Sequence, residues 1–403
     1  MDTSNNQTVL VLNCGSSSLK FAIINPESGQ QYLSGLAEAL TLPEAQISWR
    51  FGEDGEKQKA TLAAGADHTA ALTFLEEQVL HGRHDLLESL IAVGHRVVNG
   101  GEYYSEPVLV DDEVEKVIEK CIPLAPLHNP AHLLGIRAAR RLFASLPHVL
   151  VFDTAFHQTM APAAFRYALP DELYQNHGVR RYGMHGTSHY YVALKAAEQL
   201  GQPLEQTNVI TAHLGNGASV CAVKNGQSID TSMGMTPLEG LMMGTRCGNV
   251  DPSIVFFMVD ELGYSLEQVK DVLNKQSGLL GISGKTSDFR GITQGVEEGD
   301  ENSILAFDMF CYRLAKFIAS YYVSLGRVDA LVFTGGIGEN SLMMRSRVLE
   351  LLAPFGYVED VKGNEAARFG QAGLITTPTS AKAYVIPTNE ELVIARGAAK
   401  FAS

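Results

Sequence analysis

Two apolar runs in this chain are broken by the same kind of turn, about half a chain apart. The first reads VLVLNCGSSSLKFAII, with Asn13 at the turn. The second reads VITAHLGNGASVCAV, with Asn216 there. Each pairs two short buried strands around glycine and small polar residues, the pattern of a hairpin. A strand over His148–Phe152 ends on Asp153, and Asp329–Thr334 echoes it in the second half, ending on Gly335-Gly336. Ile91–Val98 reads as a further strand, and helical patterns fill the intervals: Ala71–Leu80, Asp111–Lys120, a helix opened by Asn129-Pro130, Asp251–Leu262 and Ile304–Ser324. A last helix is announced by the capping box Thr388-Asn-Glu-Glu391. The expected fold class is α/β, built from two duplicated domains with one hairpin in each.

The turns suit phosphate. In the first, Ser16 and Ser18 add hydroxyl donors to exposed backbone N–H groups, and Lys20 adds a point charge. The second, His213-Leu214-Gly215-Asn216-Gly217, has the same character. A plain tight turn explains either one alone, since Asn, Gly and Ser dominate turns; two of them suggest a polyphosphate gripped at two places. A third glycine-rich loop, Gly336-Ile337-Gly338-Glu339-Asn340, follows a strand, where close approach of a nucleotide to the backbone is expected. Gly284-Lys285-Thr286 is a decoy: a P-loop needs glycine at the position of Leu279.

Other residues offer charge or shape. Strand alternation puts Arg96 and Val98 on one face, a guanidinium beside an apolar wall, suited to a small anion with a short tail. Asp153 ends a strand, where carboxylates hold metals or orient nucleophiles; an N-cap is the plainer reading. His185 and His189 flank a turn without a third ligand at metal spacing. Arg246 and the run Asp288-Phe289-Arg290 sit among loop glycines. Glu390 and Glu391 complement a helix N-terminus or reach a metal.

Charge narrows the partners. Lys and Arg number 31 and Asp and Glu 45, a net charge of −14. That field repels nucleic acid and anionic membranes, so an anionic substrate needs a local basic cluster. The five cysteines form no CxxC pair, which fits a reducing cytoplasm better than a disulfide framework. The start of the chain has no signal-peptide pattern, and no run of apolar residues is long enough to span a bilayer.

Taken in order, VLVLNCGSSSLK, GHRVV, APLHNP, VFDTAFHQTM, RRYGMHGTSH, HLGNGAS, DTSMGMTPLEGLMMGTR, SGLLG, FTGGIGEN and IPTNEE resemble the acetokinase family of short-chain carboxylate kinases over essentially the whole chain. The resemblance implies the fold of the acetate and sugar kinase, Hsp70 and actin (ribonuclease H-like) superfamily, with a nucleotide cleft between two domains. The first would span residues 1–152 with the C-terminal helix 389–403, and the second residues 153–388. It implies reversible transfer between ATP and acetate, giving ADP and acetyl phosphate, with magnesium or manganese, in a cytoplasmic homodimer. Asn13 and Glu390 match positions tied to the metal. Lys20, His213 to Gly217, Asp288 to Arg290 and Gly336 to Asn340 match nucleotide contacts. Arg96 matches the substrate-binding arginine, Asp153 the active-site aspartate, and His185 and Arg246 the groups that stabilise the transition state. Val98, Leu127, Met184 and Pro237 match the pocket for the substrate methyl. Two positions depart from the family: Asn99 stands where GHRVVHGG has its second histidine, and Met184 where members carry Phe or Ala. Val98 is linked with acetate and Ala there with propionate, so propionate kinase is the near alternative.

A carboxylic acid with a pKa near 4.3 is ionised at pH 7, so it attacks phosphorus without a general base. The difficulty is bringing two anions into line, a task for arginines, a histidine and a divalent cation. Asp153 is therefore expected to organise metal-bound water. A nucleotide-switched ATPase of the same superfamily is the alternative of a different class; it has no need of the Arg96, His185 and Arg246 set.

Overall fold

The structure is a computed structural model and describes residues 7–126 and 128–402. The chain divides into two compact units, one running through Ala155 and completed from Asn389 onward, the other spanning Phe156–Thr388.

The first unit holds an eight-stranded sheet in the order β5-β4-β3-β2-β1-β6-β8-β7. Its strands are β1 (Thr8–Cys14), β2 (Leu19–Ile24), β3 (Gln31–Glu38), β4 (Gln46–Phe51), β5 (Gln58–Thr61), β6 (Leu90–Val97), β7 (Val108–Leu109) and β8 (His148–Phe152). β1 and β2 form the expected hairpin, with Asn13 opposite Lys20. β6 lies parallel to β1, and β8 parallel to β6. The sequence did not reveal β3 to β5. They are the outer, half-exposed strands, whose alternation is diluted by polar residues. The helix Glu390–Ala399 packs on β6 because Gly94 has no side chain; a Cβ there would come within 2.8 Å of Ile394 Cγ2.

The second unit holds a six-stranded sheet in the order β11-β10-β9-β12-β14-β13. Its strands are β9 (Asn208–Leu214), β10 (Ala218–Lys224), β11 (Gln227–Thr231), β12 (Ala330–Thr334), β13 (Gly373–Leu374) and β14 (Ala383–Val385). β9 and β10 make the second hairpin, and β12 is parallel to both β9 and β14. The runs β3-β2-β1-β6-β8 and β11-β10-β9-β12-β14 therefore repeat one topology, three antiparallel strands followed by two parallel ones. The duplication is present in the fold. Helix Glu301–Leu325 covers the sheet with Phe310, Leu314 and Ile318 buried.

The division between the two compact units falls at Ala155/Phe156, and Asp153 is tied to β6, its N–H donating to Val97 O at 2.9 Å. One local expectation changes. The glycine run after β12 is itself a short helix, Gly335–Asn340. Gly335 makes the exit from the strand at φ +76°, a left-handed conformation open to glycine.

Candidate functional site

Parallel strands end on one edge of a sheet, and loops there carry the chemistry of open α/β folds. In the first unit β1 ends beside Asn13, β6 carries Arg96 one residue before its end, and Asp153 follows β8. Arg96 Nε donates to Asp153 Oδ1 at 2.9 Å and Nη2 donates to Oδ2 at 2.6 Å. The Asp153 side chain is 1% exposed. Burial alone would pull the Arg96 guanidinium down; the Asp153 carboxylate, with Glu390 and Glu391, holds it above its ordinary value. The two groups that the sequence treated separately are thus one ion pair. Nη1 donates no hydrogen bond to Asp153.

Asn13, Lys20, Arg96, Glu390 and Glu391 surround a small cavity of about 40 Å³ with Val11, Phe21 and Ile394. Lys20 pairs with Glu391, so its charge is partly spoken for. Among the described residues no group of three or more His, Cys, Asp or Glu gathers into a metal cage. The amide oxygen of Asn13 and the carboxylate of Glu390 are hard oxygen donors beside one small space. They fit magnesium, which keeps several waters and takes only one or two protein ligands.

The first turn has a support that the sequence did not show. His68 Nε2 hydrogen-bonds Gly15 O at 2.7 Å from a buried position. Val98 is buried just past the end of β6. Leu127 lies outside the described residues. Asn99 is fully buried and serves the backbone: Gly101 N–H donates to its Oδ1 at 2.7 Å, and Asn129 Nδ2 donates to its carbonyl at 2.9 Å. Burial pushes the Cys14 thiol up to about 12, so it is not a reactive thiolate.

In the second unit His185 caps the helix Gly186–Leu200 at φ +60°, a strained value for a residue with a side chain. Its ring stacks on His213, centroids 4.2 Å apart. His185 Nδ1 is 2.9 Å from Ser219 Oγ, and Ser219 Oγ is 2.8 Å from His189 Nε2. His189 Nδ1 is 2.7 Å from Thr211 Oγ1. Burial holds His189 well below the usual imidazole range, so it stays neutral and transmits orientation rather than charge. His213 is anchored in turn, Nδ1 to Ser188 Oγ at 2.7 Å. Ser219 and His189 are positioning residues that motif spacing missed; a Ser facing a His across a hairpin (Ser219 opposite His213) was the available signal.

Arg246 reaches the same hairpin. Its Nη1 donates to Pro237 O at 2.7 Å, and a Cβ on Gly217 would lie 2.6 Å from Nη2. Glycine at 217 is what admits the guanidinium. No carboxylate pairs with Arg246 among the described residues, and burial lowers its pKa without an acidic group to offset the cost. Pro237, read from sequence as an apolar wall, also contributes this carbonyl. Met184 is buried, and its carbonyl faces His157 Nε2 at 3.0 Å.

The second unit also contains a cavity of about 1020 Å³. Gly215 and Asn216 of the hairpin, Asp288 and Arg290, and Gly336, Ile337 and Asn340 line it together. His213, Leu214, Gly217, Gly338 and Glu339 do not. Glu339 Oε1 accepts instead from Gly335 N–H at 3.0 Å and Thr388 N–H at 3.3 Å, fixing the loop. Asp288 caps helix Phe289–Glu297 through Arg290 N–H at 2.9 Å. The Phe289 ring packs on Phe310, centroids 5.0 Å apart. Arg345, fully buried, donates to Gly338 O at 2.9 Å and Glu339 O at 2.7 Å, a second hidden support for the loop. The decoy at Gly284 is a helix C-cap, and its Lys285 pairs with Asp300.

Residues 8–396 match the model of the acetokinase family. An acetate kinase of Shewanella sp. strain W3-18-1 is 58% identical over 395 residues, 98% of each chain. A crystal structure of an acetate kinase from Porphyromonas gingivalis superposes with a TM-score of 0.92 at 43% identity, covering 98% of this chain and 100% of that one. A propionate kinase from Francisella tularensis also superposes at 0.92, with 46% identity over 98% and 99% of the two chains. With the family model spanning residues 8–396 and a curated relative 58% identical along 98% of each chain, this chain belongs to the acetokinase family.

Proposed function

We propose that the protein is an acetate kinase, transferring the γ-phosphoryl group of ATP reversibly to acetate. The observation that carries this reading is Arg246: a half-buried guanidinium beside a glycine-lined turn, with no carboxylate partner among the described residues, in a chain of net charge −14. An unpaired buried cation is costly, and an anion arriving there offsets the cost. Gly215, Asn216, Gly336, Ile337 and Asn340 supply a cavity for the nucleotide.

Acetate enters as the carboxylate, so no base is required. Arg96 binds it, and Asp153 holds Arg96 in orientation through its two hydrogen bonds. This orienting role stands beside the organising of metal-bound water expected of Asp153. Val98 provides the apolar wall for the methyl, with Met184 and Pro237 as further groups for the same end. His185, held by Ser219, and Arg246 stabilise the equatorial oxygens of the transferring group. One such contact in a water-excluded site contributes on the order of 10²–10³ in rate. Asn13 and Glu390 would hold Mg²⁺, which neutralises charge on the phosphate oxygens when bound. Lys20, Ser16 and Ser18 complete the phosphate contacts.

The exposed apolar side chains of helix Ser253–Asp260 and its neighbours support a homodimer. Phe256 and Phe257 are exposed there, with Leu262 and Leu266 following and Leu305 and Tyr312 on helix Glu301–Leu325. Such a surface is covered by a second copy of the chain. The five cysteines are free thiols and no helix of the described residues is long and apolar enough to cross a membrane, which accords with a cytoplasmic enzyme.

Purified protein with ATP, Mg²⁺ and acetate is expected to give an acyl phosphate trapped by hydroxylamine. ATP hydrolysis without acyl hydroxamate would place the protein among nucleotide-driven switches instead. A kcat/KM for acetate above that for propionate is expected, since Val98 shortens the wall; the reverse ranking would identify a propionate kinase.

A further inference from the structure

The segment after helix Val361–Ala366 belongs to no motif discussed above, yet it forms part of the nucleotide cavity. Arg368 and Phe369 line that cavity with Ile337, Asn340 and Met343. Phe369 is 76% exposed and sits at φ +53°, followed by Gly370 at +85°. A bulky residue in the left-handed region is an outlier that persists only when its surroundings hold it there. Asn340 does so: its Oδ1 accepts the Phe369 N–H at 3.0 Å, while its Nδ2 donates to Gly336 O at 3.0 Å. One amide side chain therefore locks the aromatic residue to the glycine helix of the cavity. The Arg368 guanidinium lies over the ring, 4.9 Å from its centroid. Core packing does not explain this ring, because most of it faces solvent.

We propose that Phe369, backed by Arg368, is the stacking platform for the base of the bound nucleoside triphosphate. The proposal rests on the acetate kinase reading and adds the group that sets nucleotide affinity. Stacking uses the π-face that every base has, so the platform grips without reading base edges. The cation against the ring adds to the attraction.

Steady-state kinetics test it. Phe369→Ala is expected to raise the KM for ATP and for GTP alike, by roughly tenfold. The KM for acetate and the kcat at saturating nucleotide stay near wild type. Phe369→Trp restores the KM, and its indole fluorescence, taken as the difference from wild type, is quenched by ADP. Inorganic tripolyphosphate has no base, so its inhibition constant is the same in wild type and Phe369→Ala. An unchanged KM for ATP in Phe369→Ala overturns the platform while leaving the kinase reading intact. An equal loss of tripolyphosphate affinity also overturns it, because Phe369 would then shape the phosphate loop. A wild-type protein that forms no acyl hydroxamate removes the kinase reading and the platform together.

Discussion

The carboxyl edges of the two sheets present an arginine each, and the two are treated in opposite ways. Arg96, on β6, is paired twice with Asp153 and sits near Glu390 and Glu391. Arg246, beside the β9–β10 turn, donates to a carbonyl, Pro237 O, and pairs with no carboxylate among the described residues. At the first edge two cations, Arg96 and Lys20, face three carboxylates, Asp153, Glu390 and Glu391, which leaves one negative charge in excess. The second keeps its cation without a carboxylate among the described residues, and burial holds the nearby His189 neutral. One topology, used twice, has thus been given two electrostatic tasks. The first edge, with its excess of carboxylate, suits a divalent cation together with a small monoanion, and the second suits a polyanion.

That contrast predicts different outcomes for the same substitution. Arg96→Ala should have the larger effect, because it removes a substrate contact and leaves Asp153 buried without its cation. Acyl phosphate formation should fall by on the order of 10²–10³, and stability by about 3–5 kcal/mol. Adding Asp153→Asn to Arg96→Gln should return most of the stability and none of the activity; denaturant titration with the hydroxamate assay reads both. Arg246→Ala should lose a similar 10²–10³ in rate with no loss of denaturation midpoint. A midpoint drop matching that of Arg96→Ala would erase the distinction between the two edges.

The neutral imidazoles of the second unit make the next test. Burial pulls His157 down to about 4, from an ordinary value near 6.5. The native form is therefore unprotonated where the unfolded chain takes up a proton. The stability it contributes is complete above pH 6.5 and is lost as pH falls toward 4, by about 3 kcal/mol. His157→Gln should flatten that part of the stability–pH curve. The smallest effect is expected at Ser219. Ser219→Ala removes the partner of His185 Nδ1, a loss of about 1 kcal/mol, or several-fold in kcat. The KM for ATP should hold, and the pH profile of kcat should shift as the imidazole loses its fixed tautomer. An unmoved profile would mean that the ring is held without Ser219, by its stacking on His213 and the backbone of His185.

Much of the first sheet and of the site was legible in the residues. Both hairpins, the strands carrying Arg96 and preceding Asp153, and the helix from Glu390 follow from apolar periodicity and capping chemistry, which are local properties. The outer strands β3 to β5 were not legible, because β3 sets its apolar residues in adjacent pairs, Tyr32-Leu33 and Leu36-Ala37, instead of alternating them, and β5 is four largely polar residues. Nor were Ser219, His189, His68 and Arg345, whose roles consist of hydrogen bonds to partners far along the chain.

By itself the sequence determined the duplicated α/β plan, the family, and the identity of the charged and glycine residues at the ends of the strands. Those follow from patterns that each segment carries alone. Only the tertiary structure decided that Arg96 is neutralised and Arg246 is not, and that Asn340 reaches out to hold Phe369. Alternation along a strand says which face a side chain takes, but the partner it meets there is set by chain brought from 57 residues away for Arg96 and Asp153 and 29 for Asn340 and Phe369.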